Sequence, residues 1–417
     1  MPAVPASRLA SVVSMSSERT LRIAHFTLGR CNPDSANGVD KSVYHLARTQ
    51  AALGHQVAVF SLTEKAPLAI SGVTVFTCPP VRLRVPFLSA RARDLLVSRS
   101  PWNVPRRLVA QVIEWRPDVL HLHFVHIPPN VFLVRRLSPP IPYCVTIHGG
   151  LSPVAQRRNR WIKQAFKVLF ERKYLEHAAF LHAISQEDVQ GLECYGVTNT
   201  TVMAPNGIDV DAFPETFDRT ELTDLDERVH GRRVFLFLGR LDPEQKGLDL
   251  LLRAFAACRP DNAVLVLVGP DWRGAQRQLE ALAASIGISD AVVFAGPAFG
   301  NRRLALLQSA DVFVHPSRWE AGVPFSVLEA AALARPCLLA TAADPGGILK
   351  RGGAAVSIAA TVDDVAAGLA QMSGMSVEAL RDMGHRARDT MRREFSWDRT
   401  SQLIVDAYRA HAVGSRG

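Results

Sequence analysis

The 417-residue chain has no uninterrupted apolar run approaching the ~20 residues needed to span a bilayer. Its longest candidate, around residues 263–269, is only strand length. The opening MPAVPASRLASVVSMSSERT has no apolar core long enough for a secretory signal and reads as a loose leader over residues 1–18. A soluble, cytoplasmic chain is expected, one that at most lies on the inner face of the cell membrane. The six cysteines, Cys31, Cys78, Cys144, Cys194, Cys258 and Cys337, form no CxxC pair. Several sit inside apolar runs, as buried thiols do, so a reducing compartment fits better than a disulfide framework. No aromatic-rich RNA-binding motif or zinc finger stands out, which removes nucleic acid as an expected partner. Paired carboxylates of the glycosidase type are also missing. The formal net charge of +9 and pI near 9.6 leave phosphorylated substrates, an anionic membrane, or a basic surface with no specific partner.

What the chain does have is alternation of strands and helices. LRIAHFTL (21–28) reads as a buried strand, followed by a polar loop and a helix VDKSVYHLARTQAALG that Gly54 stops. HQVAVFS, VTVFTC, DVLHLHF (118–124), IPYCVTIH (141–148), FLHAIS and TVMAP continue the series. A second series opens at RVFLFLG (233–239) and runs through GLDLLLRAFAAC, AVLVLVG, AVVFAG, DVFVHPS, a helix near 327–334 and PCLLA. Continuous Val/Ile/Leu runs imply strands covered on both faces, and the alternation implies two parallel, doubly wound α/β sheets. The expected organisation is a leader (1–18), a first Rossmann-like domain (19–210), a polar linker (211–232), a second Rossmann-like domain (233–395) and a C-terminal helix with tail (396–417). Two such sheets set their strand ends around one crevice, where ligands bind.

Two constellations carry chemistry. In FLGRLDPEQKGLD a strand ends at Leu238, Gly239 turns the backbone, and Arg240 and Lys246 straddle a short loop before a helix expected near Gly247. Two cations beside a helix N-terminus suit a diphosphate, although an exposed basic loop reads the same way. In HPSRWEAGVPFSVLEAAALARPCLLA a strand ends at His315, and Glu320 and Glu329 flank a glycine-containing loop. Glu329, expected at the helix start, can accept hydrogen bonds from two sugar hydroxyls. The apolar VLEAAAL around it argues against a merely solvated carboxylate.

Here the chain resembles glycosyltransferase family 4, retaining enzymes of the two-domain GT-B architecture. APNGID (204–209), GRLDPEQKG (239–247), LVGPD (267–271), FAG (294–296) and PSRWEAGVPFSVLEAAA (316–332) carry the resemblance in the second half. NGVDKSVYHLA (37–47), VLHLHF (119–124), TIHGG (146–150) and AISQED (183–188) follow the family's order in the first half. The resemblance implies a UDP- or GDP-sugar donor, a glycan or lipid-linked acceptor, and neither metal nor cofactor. By that likeness Arg240 and Lys246 hold the donor diphosphate, Glu329 binds the ribose, and Glu320 contacts the donor sugar. Gly239, Gly322, Val323 and Pro324 offer backbone to sugar or phosphate, His148 reaches a sugar hydroxyl, and Gly38 approaches the donor at a helix start. The family usually spaces its two glutamates by seven residues, whereas eight separate Glu320 from Glu329. Ala321 looks like the extra one. Either the loop bulges and Glu320 still reaches the sugar, or Glu320 is displaced. Loss of Lys246 is expected to abolish most turnover with little change in melting temperature.

Other motifs compete. Asp209-Val210-Asp211 spells DxD, a metal–nucleotide motif of another transferase architecture, but here it continues APNGI. His121, His123 and His126 invite zinc, yet no cysteine or acidic partner stands nearby in sequence; cleft-lining or core histidines are expected. The basic stretch 154–177, with Arg157, Arg158, Arg160, Lys163, Lys167, Trp161, Phe166 and Leu169, reads either as a membrane-docking helix or as a packed helix with one solvated face. The Arg-rich segment 81–99 would assist docking. Residues 397–413 read as a helix that, by family likeness, crosses back to the first domain with Trp397 and Tyr408 as anchors. A sucrose- or trehalose-type synthase and an inactive scaffold remain alternatives.

Overall fold

A computed structural model describes residues 19–34, 37–81, 104–152, 155–156, 160–214 and 227–414. The leader, most of the 81–99 segment, Arg157 and Arg158 and the middle of the 211–232 linker lie outside the described residues. Seven parallel strands form the upstream sheet: β1 (Arg22–Thr27), β2 (Gln56–Leu62), β3 (Val73–Cys78), β4 (Val119–His123), β5 (Tyr143–Thr146), β6 (Phe180–Ala183) and β7 (Thr201–Met203), in the order β3-β2-β1-β4-β5-β6-β7. Six more form the downstream sheet: β8 (Arg233–Leu238), β9 (Ala263–Val268), β10 (Val292–Gly296), β11 (Val312–His315), β12 (Cys337–Ala340) and β13 (Ala355–Ile358), ordered β10-β9-β8-β11-β12-β13. All six residues of β9, AVLVLV, are buried, because helices cover both faces of a parallel sheet.

Local chemistry sets the helix limits. Asn37 caps the helix Gly38–Ala52 by accepting the Val39 amide, and Gly54, at φ 89°, follows its end. In the helix Leu248–Cys258 the buried Leu248, Leu251, Leu252 and Phe255 recur at i, i+3, i+4 and i+7 and form the stripe that docks on the sheet. Each such side chain contributes ~1.5–3 kcal/mol on burial.

Strand order reverses between β1 and β4 upstream and between β8 and β11 downstream. Those switch points leave crevices at the strand carboxyl ends, which is where His123, Gly239 and His315 fall. The chain crosses between sheets twice at one place. Ile208 bridges Ser396, and a Cβ on Gly207 would lie 2.5 Å from the Trp397 nitrogen. The helix Val377–Glu394 sends Ala387 and Met391 into the downstream core, whereas Trp397, Ile404 and Tyr408 pack with Ile23, Val43 and Leu46 of the upstream one. The expected single helix 397–413 divides into Trp397–Ala407 and a π-helical end, Tyr408–Val413.

Three local expectations need correction. Glu329 sits in the second turn of the helix Phe325–Ala332, not at its start. Lys246 ends a short helix, Pro243–Lys246, capped by Asp242; Gly247 then breaks the chain at φ 66° before the next helix. The stretch Arg160–Phe166 continues through a π-helical turn, Lys167–Glu171, before Arg172–Glu176. Among the described residues no helix is long and apolar enough to cross a membrane.

Candidate active site

Between the two switch points lies a cavity of 370 Å³. Its lining includes all ten residues singled out from sequence: Gly38, His148, Gly239, Arg240, Lys246, Glu320, Gly322, Val323, Pro324 and Glu329.

The downstream wall is charged and internally paired. Lys246 Nζ stands 2.5 Å from Glu320 Oε1, which also accepts from Ser317 Oγ at 2.6 Å and His315 Nε2 at 3.0 Å. Burial works to raise the Glu320 carboxyl, but the Lys246 charge and the bonds from His315 and Lys246 outweigh it and hold its pKa down to about 2. Burial keeps His315 below its ordinary range despite the neighbouring carboxylate. Arg240 donates to Gln245 Oε1 at 2.9 Å and stacks 4.3 Å from the Trp272 ring.

The additional residue in the Glu320–Glu329 loop does not carry Glu320 out of the cavity. Ala321 instead faces the opposite wall, where a Cβ on Gly149 would come within 2.1 Å of its own Cβ. Gly322, at φ 107°, lies against Ile184 in a conformation that L side chains rarely adopt.

The upstream wall contributes the N-terminal turn of the helix Gly38–Ala52 and the turn after β5. His148 takes φ 52° and Gly149 φ 72°. Asp188 ties this turn down, accepting from the Gly149 amide at 2.7 Å and the Ile184 amide at 3.0 Å. Burial lifts the Asp188 carboxyl to about 6 against the pull of those two amides. His148 is buried, and burial, with His182 nearby, pushes its pKa down to about 3.

Sequence reasoning missed Lys41. Its ammonium crosses the cleft to Glu329 Oε1 at 2.7 Å, while Arg303 Nε lies 3.5 Å from the other oxygen. Burial lowers the Lys41 pKa and Glu329 opposes that shift. A lysine in the first helical turn of NGVDKSVYHLA was the available signal. The structure also separates the histidines. His121 and His123 lie in the buried sheet with His25, whereas His126 stands apart, its Nδ1 2.7 Å from Glu171 Oε2. His126 does have an acidic partner, but one supplied by a helical turn 45 residues later. The DxD carboxylates have unrelated partners: Asp209 pairs with Arg48 at 2.8 Å, and the exposed Asp211 faces Arg392 at 3.6 Å.

Comparison with known proteins agrees with this geometry. The downstream half, residues 232–374, matches the family described as "Glycosyl transferases group 1", and residues 36–212 match "Glycosyltransferase Family 4". The chain is 30% identical to the D-inositol 3-phosphate glycosyltransferase of Nocardia farcinica over 90% of its own length and 85% of that protein's. It superposes on sucrose-phosphate synthase from Thermosynechococcus elongatus with a TM-score of 0.74 at 19% identity, covering 94% of this chain and 99% of that one. HepE from Anabaena in complex with UDP-glucose gives 0.69 at 17% identity, over 94% and 100%. Two parallel sheets facing one cleft, with these likenesses, define a glycosyltransferase of the GT-B fold. Within that class, the chain belongs to glycosyltransferase family 4.

Proposed function

We propose that this glycosyltransferase moves a hexose from a UDP- or GDP-sugar to a glycan or lipid-linked acceptor with retention of anomeric configuration, without metal or cofactor, in polysaccharide, lipopolysaccharide or glycolipid assembly. The observation that carries the reading is the convergence of Arg240, Lys246, Glu320 and Glu329 on the cavity that His148 closes from the other side. Residues 233–395 take the donor and residues 19–210 the acceptor. The chain passes from one to the other at Gly207 and returns at Trp397.

On this reading the diphosphate exchanges places with Glu320 as the partner of Lys246, and the ribose hydroxyls replace Lys41 on Glu329. As the anomeric carbon gains oxocarbenium character, Lys246 and Arg240 stabilise the departing oxygen, and the leaving phosphate accepts the acceptor's proton on the same face. No carboxylate acts as nucleophile.

A lipid-linked acceptor is supported by the helix beginning at Arg160. Trp161, Ile162, Val168 and Leu169 are 62–76% exposed along this helical stretch, which also carries the exposed Arg172. Such a stretch suits the boundary of an anionic bilayer. A phosphorylated cyclitol is the second reading, supported by the relative from Nocardia farcinica, which is named for inositol 3-phosphate.

Release of nucleoside diphosphate from UDP- and GDP-sugars, with inositol phosphate or a lipid-linked glycan as acceptor, separates these readings. NMR of the product reports its anomeric configuration. Turnover that collapses on adding a chelator would refute metal independence, and failure to release diphosphate from any sugar nucleotide would leave an inactive scaffold. Co-sedimentation with anionic vesicles that is insensitive to salt and to Trp161→Ala would remove the membrane reading.

A further inference from the structure

We propose that Gln50 is a positioning residue that fixes which nitrogen of His148 carries its proton, through a buried chain of side chains running from the Ala204 carbonyl to the cleft. The inference rests on the reading of His148 as the group that meets the donor sugar.

The chain contains eight consecutive hydrogen bonds. Its far end is a backbone carbonyl, which can only accept, so His182 Nε2–H donates to Ala204 O at 2.8 Å. Burial holds His182 neutral, its pKa pushed down to about 4 against the pull of that bond. Its Nδ1 is therefore a bare acceptor and takes the Thr146 hydroxyl proton at 2.8 Å. The Thr146 oxygen then accepts from His121 Nε2–H at 2.6 Å. Burial keeps His121 neutral as well, so its Nδ1 accepts the Tyr408 phenol proton at 2.6 Å. The phenol oxygen accepts from Gln50 Nε2 at 3.3 Å.

That contact orients the Gln50 amide and turns its Oε1 to His25 Nε2 at 2.8 Å. His25 must donate there, which leaves its Nδ1 to accept from His123 Nε2–H at 3.1 Å. His123 Nδ1 in turn accepts from His148 Nε2–H at 3.2 Å. Burial pushes His25 down to about 4 and His123 well below its ordinary range, so neither carries the second proton that would break the sequence. His148 thus faces the cleft with an unprotonated Nδ1, an acceptor for a sugar hydroxyl.

Gln50 is the point of control because its two ends differ in kind. An inverted amide would present Nε2 to His25 and reverse every proton from His25 onward. His148 would then offer a donor where it now offers an acceptor. In the close trio of imidazoles His25, His121 and His123, all six ring nitrogens are engaged in these hydrogen bonds. The orienting partner of an active-site imidazole commonly acts by selecting its tautomer.

Two-bond ¹H–¹⁵N spectra of the full chain labelled in histidine, with His148 assigned by its loss in His148→Gln, should show His25, His123 and His148 all in the Nε2–H form. Gln50→Leu removes the acceptor from His25 and should mix these tautomers and lower kcat about tenfold with donor KM nearly unchanged. Gln50→Glu keeps an oxygen toward His25 Nε2 and should restore both the tautomer and kcat. Nδ1–H at His148 in the wild type, or unaltered tautomers in Gln50→Leu, would overturn the proposal. Should Gln50→Leu fail to fold, Gln50→Met, similar in volume and without an amide, takes its place, and unaltered tautomers there would equally overturn the proposal. Full turnover in His148→Ala would instead remove the reading of His148 as a sugar contact and leave the spectra untouched, so the two failures are separable.

Discussion

The two walls of the cleft hold their polar groups in opposite ways. Downstream, Lys246, Glu320 and His315 form a tight cluster built on the ion pair between Lys246 and Glu320. Upstream, His148, His123 and His25 are just as buried but form a chain held neutral by burial. The difference follows the chemistry proposed for each side. A leaving diphosphate brings two or more negative charges and needs cations that are already desolvated and held in place. Sugar hydroxyls bring only dipoles, and a fixed neutral imidazole meets them without the cost of a buried ion. Lys41 is the exception, a cation from the upstream side, and it reaches across to a downstream carboxylate.

The strongest way to break this contrast is Lys246→Ala. Turnover should fall by about 10²–10³, the usual effect of losing one donor aimed at developing charge. The buried pair also revises the expectation for stability. Glu320 loses its cation and keeps only His315 and Ser317, so the melting temperature should fall as well. The double variant Lys246→Ala with Glu320→Gln should recover the melting temperature but not activity. Denaturation and steady-state rates on the three variants check both halves.

Next in size is Gly149→Ala. The new methyl meets Ala321 across the cleft and strains a residue at φ 72°, so the two walls no longer close. Turnover should fall by about 10-fold or more, since displacements near 1 Å suffice for such losses. Ala321→Gly in the same chain should return part of it, as measured by kcat/KM.

The smallest effect is an acid limb. The folded-state pKa of Glu320, about 2, lies below its ordinary 4.5. Its contribution to stability is therefore complete above pH 4.5 and disappears as the pH falls toward 2. Urea titrations should give a shallower loss for Glu320→Gln than for wild type in that window, and parallel curves would contradict the pairing.

Much of the fold was legible because unbroken apolar runs such as AVLVLV, punctuated by glycine, leave few alternatives to covered parallel strands. Arg240, Lys246 and Glu329 were legible for a related reason: their motifs are contiguous, so neighbours in sequence are neighbours at the site. Lys41 was not, because its partner lies 288 residues away and local periodicity carries no trace of that pairing. The histidine chain was hidden in the same way. His121 and His123 stand out together, but His25, Gln50 and Tyr408 come from three other elements and join them only through strand order and the returning C-terminal segment. The loop around Ala321 shows the limit from the other direction. Spacing revealed an extra residue, whereas only the facing glycine shows where its volume goes.

The paired crossing at Gly207 and Trp397 bears on how the enzyme moves. With both covalent ties between the halves passing through one spot, and no room there for even a methyl group, any opening of the cleft would be a swing about an axle rather than a slide. Displacement is then least at the axle and grows with distance from it. Substrate traffic would use the far rim, and thickening the axle at Gly207 would jam the swing without touching a single group that meets the sugar.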